Sequence, residues 1–304
     1  MIDKQLLKKN YFIYGVGLLI LAQTMVGINI VTSKLLLSSI PIFFLLAIRF
    51  ALATLILLPL HWLTSPRKIS VQEHFLNMQR RDWIFVFAQA LSAGILFNCL
   101  MLLGLNYTDA NVAGIITSAL PAIIAIMSWF MLGETISAKK SFCVCFATLG
   151  LIVIAYDKLS GVGLTHSFLG DSIVLVSLLP EAAYYVLCKL YANKLPVFLI
   201  SALLNGINAI LLLPAILFFH WDTSSIDAES WFMLFVLGLS SGLFYVFWFI
   251  GSQWVDGIMA SLSTAVMPVA TVIIAWILLG EHLTGLQSVG MGLVIFSIAI
   301  YARR

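Results

Sequence analysis

About ten apolar stretches follow one another along this chain, each close to the length a helix needs to cross the hydrocarbon of a bilayer. They run over approximately 12–34, 41–63, 83–105, 111–132, 140–157, 169–190, 196–219, 231–253, 257–279 and 285–302, separated by short polar breaks. No water-soluble fold can bury such a pattern. Of the 304 residues 62% are hydrophobic and 10% are charged, where soluble domains run near one-half and one-quarter. Backbone groups in hydrocarbon have no water to bond, so each stretch is expected to be a helix. The expectation is an all-α integral membrane protein of ten transmembrane helices. The basic N-terminus and first apolar run look superficially like a secretory signal. The run is too long for one, however, and has no small-residue cleavage site, so it reads as the first helix.

Lys and Arg in short loops are retained on the cytoplasmic side, which orients the bundle. Ten spans place Lys4, Lys8, Lys9, Arg67, Lys68, Arg80, Arg81, Lys139, Lys140, Lys194, Arg303 and Arg304 on one side. The other side holds Lys34 and Lys158 and an acidic loop with Asp222, Asp227 and Glu229. Both termini are therefore expected in the cytoplasm, with the chain in a bacterial inner membrane. The net charge of +3 follows from this bias, and no nucleic-acid-binding patch is present. Cys99, Cys143, Cys145 and Cys188 fall inside spans, where they are expected to pack as small apolar residues. No metal site or disulfide is expected.

The chain also repeats itself. Residues 104–134 align without a gap on 251–281: Gly104 with Gly251, Asp109 with Asp256, Ala113 with Ala260, Thr117 with Thr264, Pro121 with Pro268, Trp129 with Trp276, and Glu134 with Glu281. Each pair lies 147 positions apart. Upstream, Lys34 matches Lys189, Pro41 matches Pro196 and Pro59 matches Pro214, all 155 apart, and the basic loop around 65–81 absorbs the difference. Five helices per repeat is an odd number, so the second copy must enter the membrane from the opposite side. The halves are read as 1–158 and 159–304, two inverted five-helix repeats.

The doubled helix running from Pro to Gly-Glu, the stretch from Gly27 and Asn29 to Lys34, and the run from Pro41 to Arg49 resemble the EamA-like branch of the drug/metabolite transporter superfamily. The resemblance covers nearly the whole chain. It implies a secondary transporter that moves a small metabolite by alternating access, without a cofactor. Where such proteins often carry an aromatic residue before the small residue of helices one and six, this sequence has Val26 and Glu181.

Glu181 stands near the middle of the sixth stretch, where a carboxylate costs roughly 2.5 to 3.5 kcal/mol on insertion scales. It reads as a proton-coupling acid or as the counter-charge of a cationic substrate; the bland alternative is a protonated or internally paired structural carboxyl. Helical spacing groups it with Tyr184, Tyr185 and Cys188. The repeat sets that stripe against Val26, Asn29, Ile30 and Ser33 of the first stretch. The third stretch offers Gly94, Asn98, Met101 and Leu105, and the eighth offers Ser241, Tyr245, Trp248 and Ser252. Aromatic faces with one carboxylate suit an amine, a zwitterion or another cationic amphipathic compound; alternatively Tyr245 and Trp248 only fill the bundle.

Pro180, just before Glu181, should bend its helix and deprive the Val176 carbonyl of a donor. Pro121 and Pro268 should kink the fourth and ninth helices and free the carbonyls of Thr117 and Thr264 to line the cavity. For Arg49 and Lys34, snorkelling or pairing outweighs substrate contact. Glu134 and Glu281 are expected at the membrane surface in structural roles. Asn205 and Asn208 have no evident partner. No phosphate-binding Gly-rich loop is present for direct ATP drive. The five histidines are scattered, which argues against a membrane enzyme, and no filter pattern argues for a channel. The partners implied are a small-molecule substrate, a coupling proton and the lipid bilayer.

Overall fold

The structure, a computed structural model, describes residues 4–36, 39–64, 71–105, 107, 116–157, 167–190, 195–218, 226–279 and 284–302. Asp109, Ala113 and Glu281, named above through the repeat, lie outside the described residues. Among those residues the secondary structure is helical, with no strand. Helix α1 spans Lys4–Leu36, α2 Ile42–Thr64 and the short α3 Val71–Leu76. Helix α4 (Arg80–Gln89) passes through a π-helical turn (Ala90–Leu96) into α5 (Phe97–Leu105). There follow α6 (Leu120–Leu132), α7 (Ala138–Asp157), α8 (Phe168–Leu190), α9 (Val197–Phe218), α10 (Ala228–Ser252), α11 (Gly257–Ser263), α12 (Val266–Leu279) and α13 (Gly285–Ala302). Eight of the described helical segments are long and apolar enough to cross a membrane, and α6 is a shorter apolar helix.

Local chemistry explains the helix ends. Gln79 and Asp82 form a capping box at the start of α4, the Gln79 N–H donating to Asp82 Oδ2 at 2.9 Å. Asp227 accepts from the Ser230 N–H at 2.9 Å, and Asp256 accepts from the Met259 N–H at 3.0 Å, to open α10 and α11. Helix α6 stops at Gly133, whose φ of 66° is the left-handed conformation that glycine adopts without steric penalty.

The prolines behave differently from a simple kink. Pro121 sits in the first turn of α6, where a missing N–H is harmless. The ninth stretch is broken outright at Thr264 and Ala265, between α11 and α12. The Thr264 carbonyl is not left free, as expected from sequence, because the Met267 N–H reaches it at 3.2 Å in a tighter turn. Helix α8 continues unbroken through Pro180.

Packing follows a regular scheme: α1 lies along α10 and α12, α8 along α5 and α6, α2 along α9 and α10, and α7 along α13. Between α7 and α13 the backbones touch. A Cβ on Gly290 would stand 2.6 Å from the Gly150 carbonyl oxygen, and one on Gly150 would stand 2.7 Å from that of Gly290. Leu19, Leu178, Trp248, Ile258 and Leu262 are fully buried in the main core. Phe130, Leu55, Phe232 and Ile277 are well over half exposed, as a lipid-facing surface requires.

Candidate functional site

The stripe predicted on the sixth stretch meets the one predicted on the eighth. Tyr184 and Tyr185 of α8 lie 5.3 Å apart, centroid to centroid, Tyr184 lies 5.7 Å from Tyr245 of α10, and Tyr185 lies 4.4 Å from Trp248. Phe244, overlooked in the sequence, completes the cluster at 5.0 Å from Tyr245 and 6.3 Å from Tyr184. Most of these contacts are edge-to-face, the arrangement that sets the positive rim of one ring against the negative face of another. Glu181 is half-buried one turn before Tyr185 and faces its hydroxyl. Among the described residues no Lys or Arg forms an ion pair with it.

Around these rings the polar groups are only partly satisfied. Asn29 of α1 donates to Ser240 Oγ of α10 at 2.9 Å and to the Met25 carbonyl at 3.1 Å, but its own Oδ1 is buried without a partner. Ser241 donates to Asn205 Oδ1 of α9 at 3.4 Å, which supplies the partner the sequence did not reveal. Asn208, one turn on, is fully buried with both amide atoms unpaired. It lies flat against the π-helical turn, where a Cβ on Gly94 would fall 2.1 Å from its Oδ1. Gln23 of α1 is beside the Tyr185 hydroxyl, fully buried, with neither amide atom in hydrogen-bonding geometry. The Tyr184 hydroxyl and the Trp248 indole N–H are buried and unpaired as well. Cys188 approaches Gln89 Oε1 at 3.8 Å, and Gln89 Nε2 donates to the Leu187 carbonyl at 3.4 Å. Neither Gln23 nor Gln89 falls on a stripe read from the sequence.

Other residues named from sequence lie elsewhere. Asn98 turns back on its own helix, donating to the carbonyls of Ala93 at 3.0 Å and Gly94 at 2.6 Å. It thereby satisfies backbone that the π-helical turn leaves irregular. Thr117, Pro121, Thr264 and Pro268 do converge, with Ser118 and Thr271, on a cavity of about 160 Å³ that shares no lining residue with the aromatic cluster. That volume is below the roughly 300 Å³ at which ligand pockets begin, and the Thr264 hydroxyl is engaged by the Ser261 carbonyl at 2.7 Å. A larger furrow bordered by Ile20, Ile273 and Ile295 is apolar and opens between helices on the lipid-facing surface. His61 and His74 come together with ring centroids 5.9 Å apart, but the described residues hold no group of three ligands that could bind a metal.

A second polar cluster lies where α6, α7, α8, α11 and α13 end. Glu134 accepts from the N–H groups of Gly257 at 2.7 Å and Ile258 at 3.3 Å, capping α11 from the other half of the chain. Lys189 stands 4.0 Å from Glu134 and donates to the Val255 carbonyl. Asp256 receives the Tyr301 hydroxyl at 2.6 Å and pairs with Lys140 at 3.2 Å. Burial pushes the Asp256 carboxyl up, but the Tyr301 hydroxyl, the Met259 N–H and the Lys140 ammonium together hold it below the ordinary aspartate value. Glu134 thus ties the end of α6 to the start of α11 instead of merely ending a helix.

Comparison with known proteins agrees with this architecture. The chain is similar over 284 residues to the uncharacterized transporter YetK of Bacillus subtilis, with 26% identity across 92% of this chain and 84% of that one. An uncharacterized transporter of Archaeoglobus fulgidus is 27% identical across 74% of this chain and 79% of its own. A solved crystal structure superposes with a TM-score of 0.77 over 96% of both chains at 18% identity, a likeness of fold. The model of the EamA-like transporter family matches residues 13–156 and again 168–303.

Proposed function

The chain belongs to the EamA-like transporter family, and on that premise we propose that it moves a small amine, zwitterion or other cationic amphipathic metabolite across the membrane by alternating access. One observation carries this reading: Glu181, a carboxyl with no ion-pair partner among the described residues, stands among aromatic rings and buried polar atoms that lack partners. Such orphans each cost about 1 to 3 kcal/mol, so a native protein keeps them where a ligand or water will satisfy them. An organic cation would pair with Glu181 and lay its body against Tyr184, Tyr185, Phe244, Tyr245 and Trp248. Asn29, Gln23 and Asn208 would supply directional hydrogen bonds.

In this reading ten helices form two inverted repeats, 1–158 and 159–304. Reciprocal packing supports it, because α1 meets α10 and α12 as α8 meets α5 and α6. The breaks beside Pro121 and Pro268 and the small cavity between them leave room for one half to rock against the other. The bias of basic residues places both termini in the cytoplasm of a bacterial cell. The Glu134 cluster then closes the cytoplasmic face. Glu181 beside the Tyr185 hydroxyl would also serve to carry a coupling proton.

The test is counterflow of labelled amines into proteoliposomes. Saturable exchange is expected, with Glu181→Gln losing it or losing its pH dependence. Linear flux without exchange, or an unaltered Glu181→Gln variant, would overturn the reading.

A further inference from the structure

We propose that His61 and His74 form a binding site for zinc or a chemically similar divalent transition metal, which would pin the short helix α3 to the end of α2. The site is separate from the aromatic cluster and does not depend on how that cluster is read.

His61 sits in the last turn of α2, which ends at Thr64. It is 1% exposed, and its Nε2 is buried without a hydrogen-bond partner. A polar atom taken out of water and left unanswered is costly, so a native protein keeps it where something will complete it. Beside it stands His74 of α3, whose Nε2 is also buried and unpaired. The two ring centroids lie 5.9 Å apart, with the ring planes inclined at 66°. Two idle imidazole nitrogens thus belong to rings in contact, contributed by two different helices.

This spacing suits a shared ion. A zinc–nitrogen bond of about 2.0 to 2.1 Å, with about 1.1 Å more from the nitrogen to the ring centre, sets each centroid about 3.2 Å from the metal. At a tetrahedral angle the centroids would be about 5.2 Å apart, so closure by less than about 1 Å brings both rings onto one ion. Helix α3 is free to make that move, since none of its residues is buried, while Phe75, resting on Trp83 at 5.4 Å, keeps it near. Water fills the remaining positions, as at an open zinc site.

The surrounding charge selects among cations. Arg67 and Lys68 precede α3, and Arg80 and Arg81 follow it. Magnesium and calcium, which need oxygen ligands and are held by charge, are disfavoured there. Zinc, nickel and copper bind neutral imidazole through the nitrogen lone pair. The pair is also peculiar to one half of the sequence. In the register that sets Pro59 against Pro214, 155 positions apart, His61 answers to Ile216, and His74 falls in the loop that lengthens the first half. The repeated pattern therefore does not itself call for these imidazoles.

Titration calorimetry and thermal shift on the tag-free protein in detergent test the site, with zinc chloride as the probe. One equivalent of zinc should bind and raise the thermal midpoint as its concentration rises. His74→Asn and His61→Asn should each weaken binding at least about tenfold, the least that loss of a supporting partner costs a metal site. His61→Phe, which fills the buried position with an apolar ring, should do the same. Metal-free thermal midpoints check that each variant folds, and His74→Asn, at a half-buried position, decides the matter if the His61 variants do not fold. Copper(II) should bind more tightly than zinc, and the nitrogen superhyperfine splitting of its electron paramagnetic resonance spectrum should lose one imidazole in His74→Asn. Magnesium and calcium should not compete. The inference is overturned if zinc neither binds nor shifts the midpoint, if magnesium displaces it, or if His74→Asn binds it as tightly as the wild type. That last result would put the metal elsewhere, as on the exposed Cys99 thiol. None of these outcomes bears on amine counterflow, so the two readings stand or fall separately.

Discussion

The cluster around Glu134 and the cluster around Glu181 lie along the same helix, about 12 Å apart by helical rise from Lys189 to Glu181, yet they treat polar groups in opposite ways. At Glu134, Asp256, Lys140, Lys189 and Tyr301, charges, hydroxyl and helix N-terminus answer one another. At Gln23, Asn208, Tyr184 and Trp248 polar atoms are taken out of solvent and left unanswered. The first arrangement ties helices far apart in the chain to one another; the second leaves donors and acceptors without partners. Counting charges would have ranked the first as the more active place. Counting unmet partners ranks the second.

This contrast can be broken most forcefully at Glu134. Glu134→Ala leaves two helix N–H groups uncapped and Lys189 without its acid, a loss of about 3 kcal/mol. The thermal midpoint of the purified protein should fall by more than about 5 °C; an unchanged midpoint would mean that the cluster does not tie those helices together. The centre should respond in the reverse sense. Gln23→Leu and Asn208→Leu each replace an orphaned amide by an apolar group of similar size, so stability should hold or rise by about 1 kcal/mol while amine counterflow falls. A drop in both would move these amides to the structural side of the comparison. Trp248→Phe keeps ring packing and removes only the idle indole N–H, so half-saturation should rise by about fivefold with little change in thermal midpoint.

The smallest expected effect concerns pH. Because its folded value lies below that of the unfolded chain, Asp256 contributes stability that is complete above the ordinary aspartate range near pH 4. That contribution is lost only as pH falls through the lower folded value. Asp256→Asn should therefore leave the pH profile of transport between about pH 5 and 8 unchanged while lowering the thermal midpoint modestly. A shifted profile would make Asp256 part of the proton chemistry.

Much of this could be read without coordinates. Apolar runs of bilayer length announce helices, and the paired Thr and Pro at constant separation announce related breaks, because hydrophobicity and proline geometry act locally. The stripe of Tyr184 and Tyr185 and that of Tyr245 and Trp248 were each legible, since helical spacing fixes which residues share a side, but that the two stripes meet was not. Asn98 was misleading: its amide lies on the expected face but is spent on a π-helical turn that no periodicity signals. The Thr264 carbonyl misled in a similar way, being reclaimed by a tighter turn. Gln23 and Phe244 were silent, since each matters through what a distant helix places beside it.

The sequence by itself determined that the chain enters a membrane as helices, because that outcome depends on burial of apolar surface and on backbone bonding within a few residues. Only the tertiary structure decided which polar groups are paired and which are left waiting. Pairing is a relation between helices far apart in sequence, such as Glu134 with Gly257 or Asn29 with Ser240, and no local pattern records it.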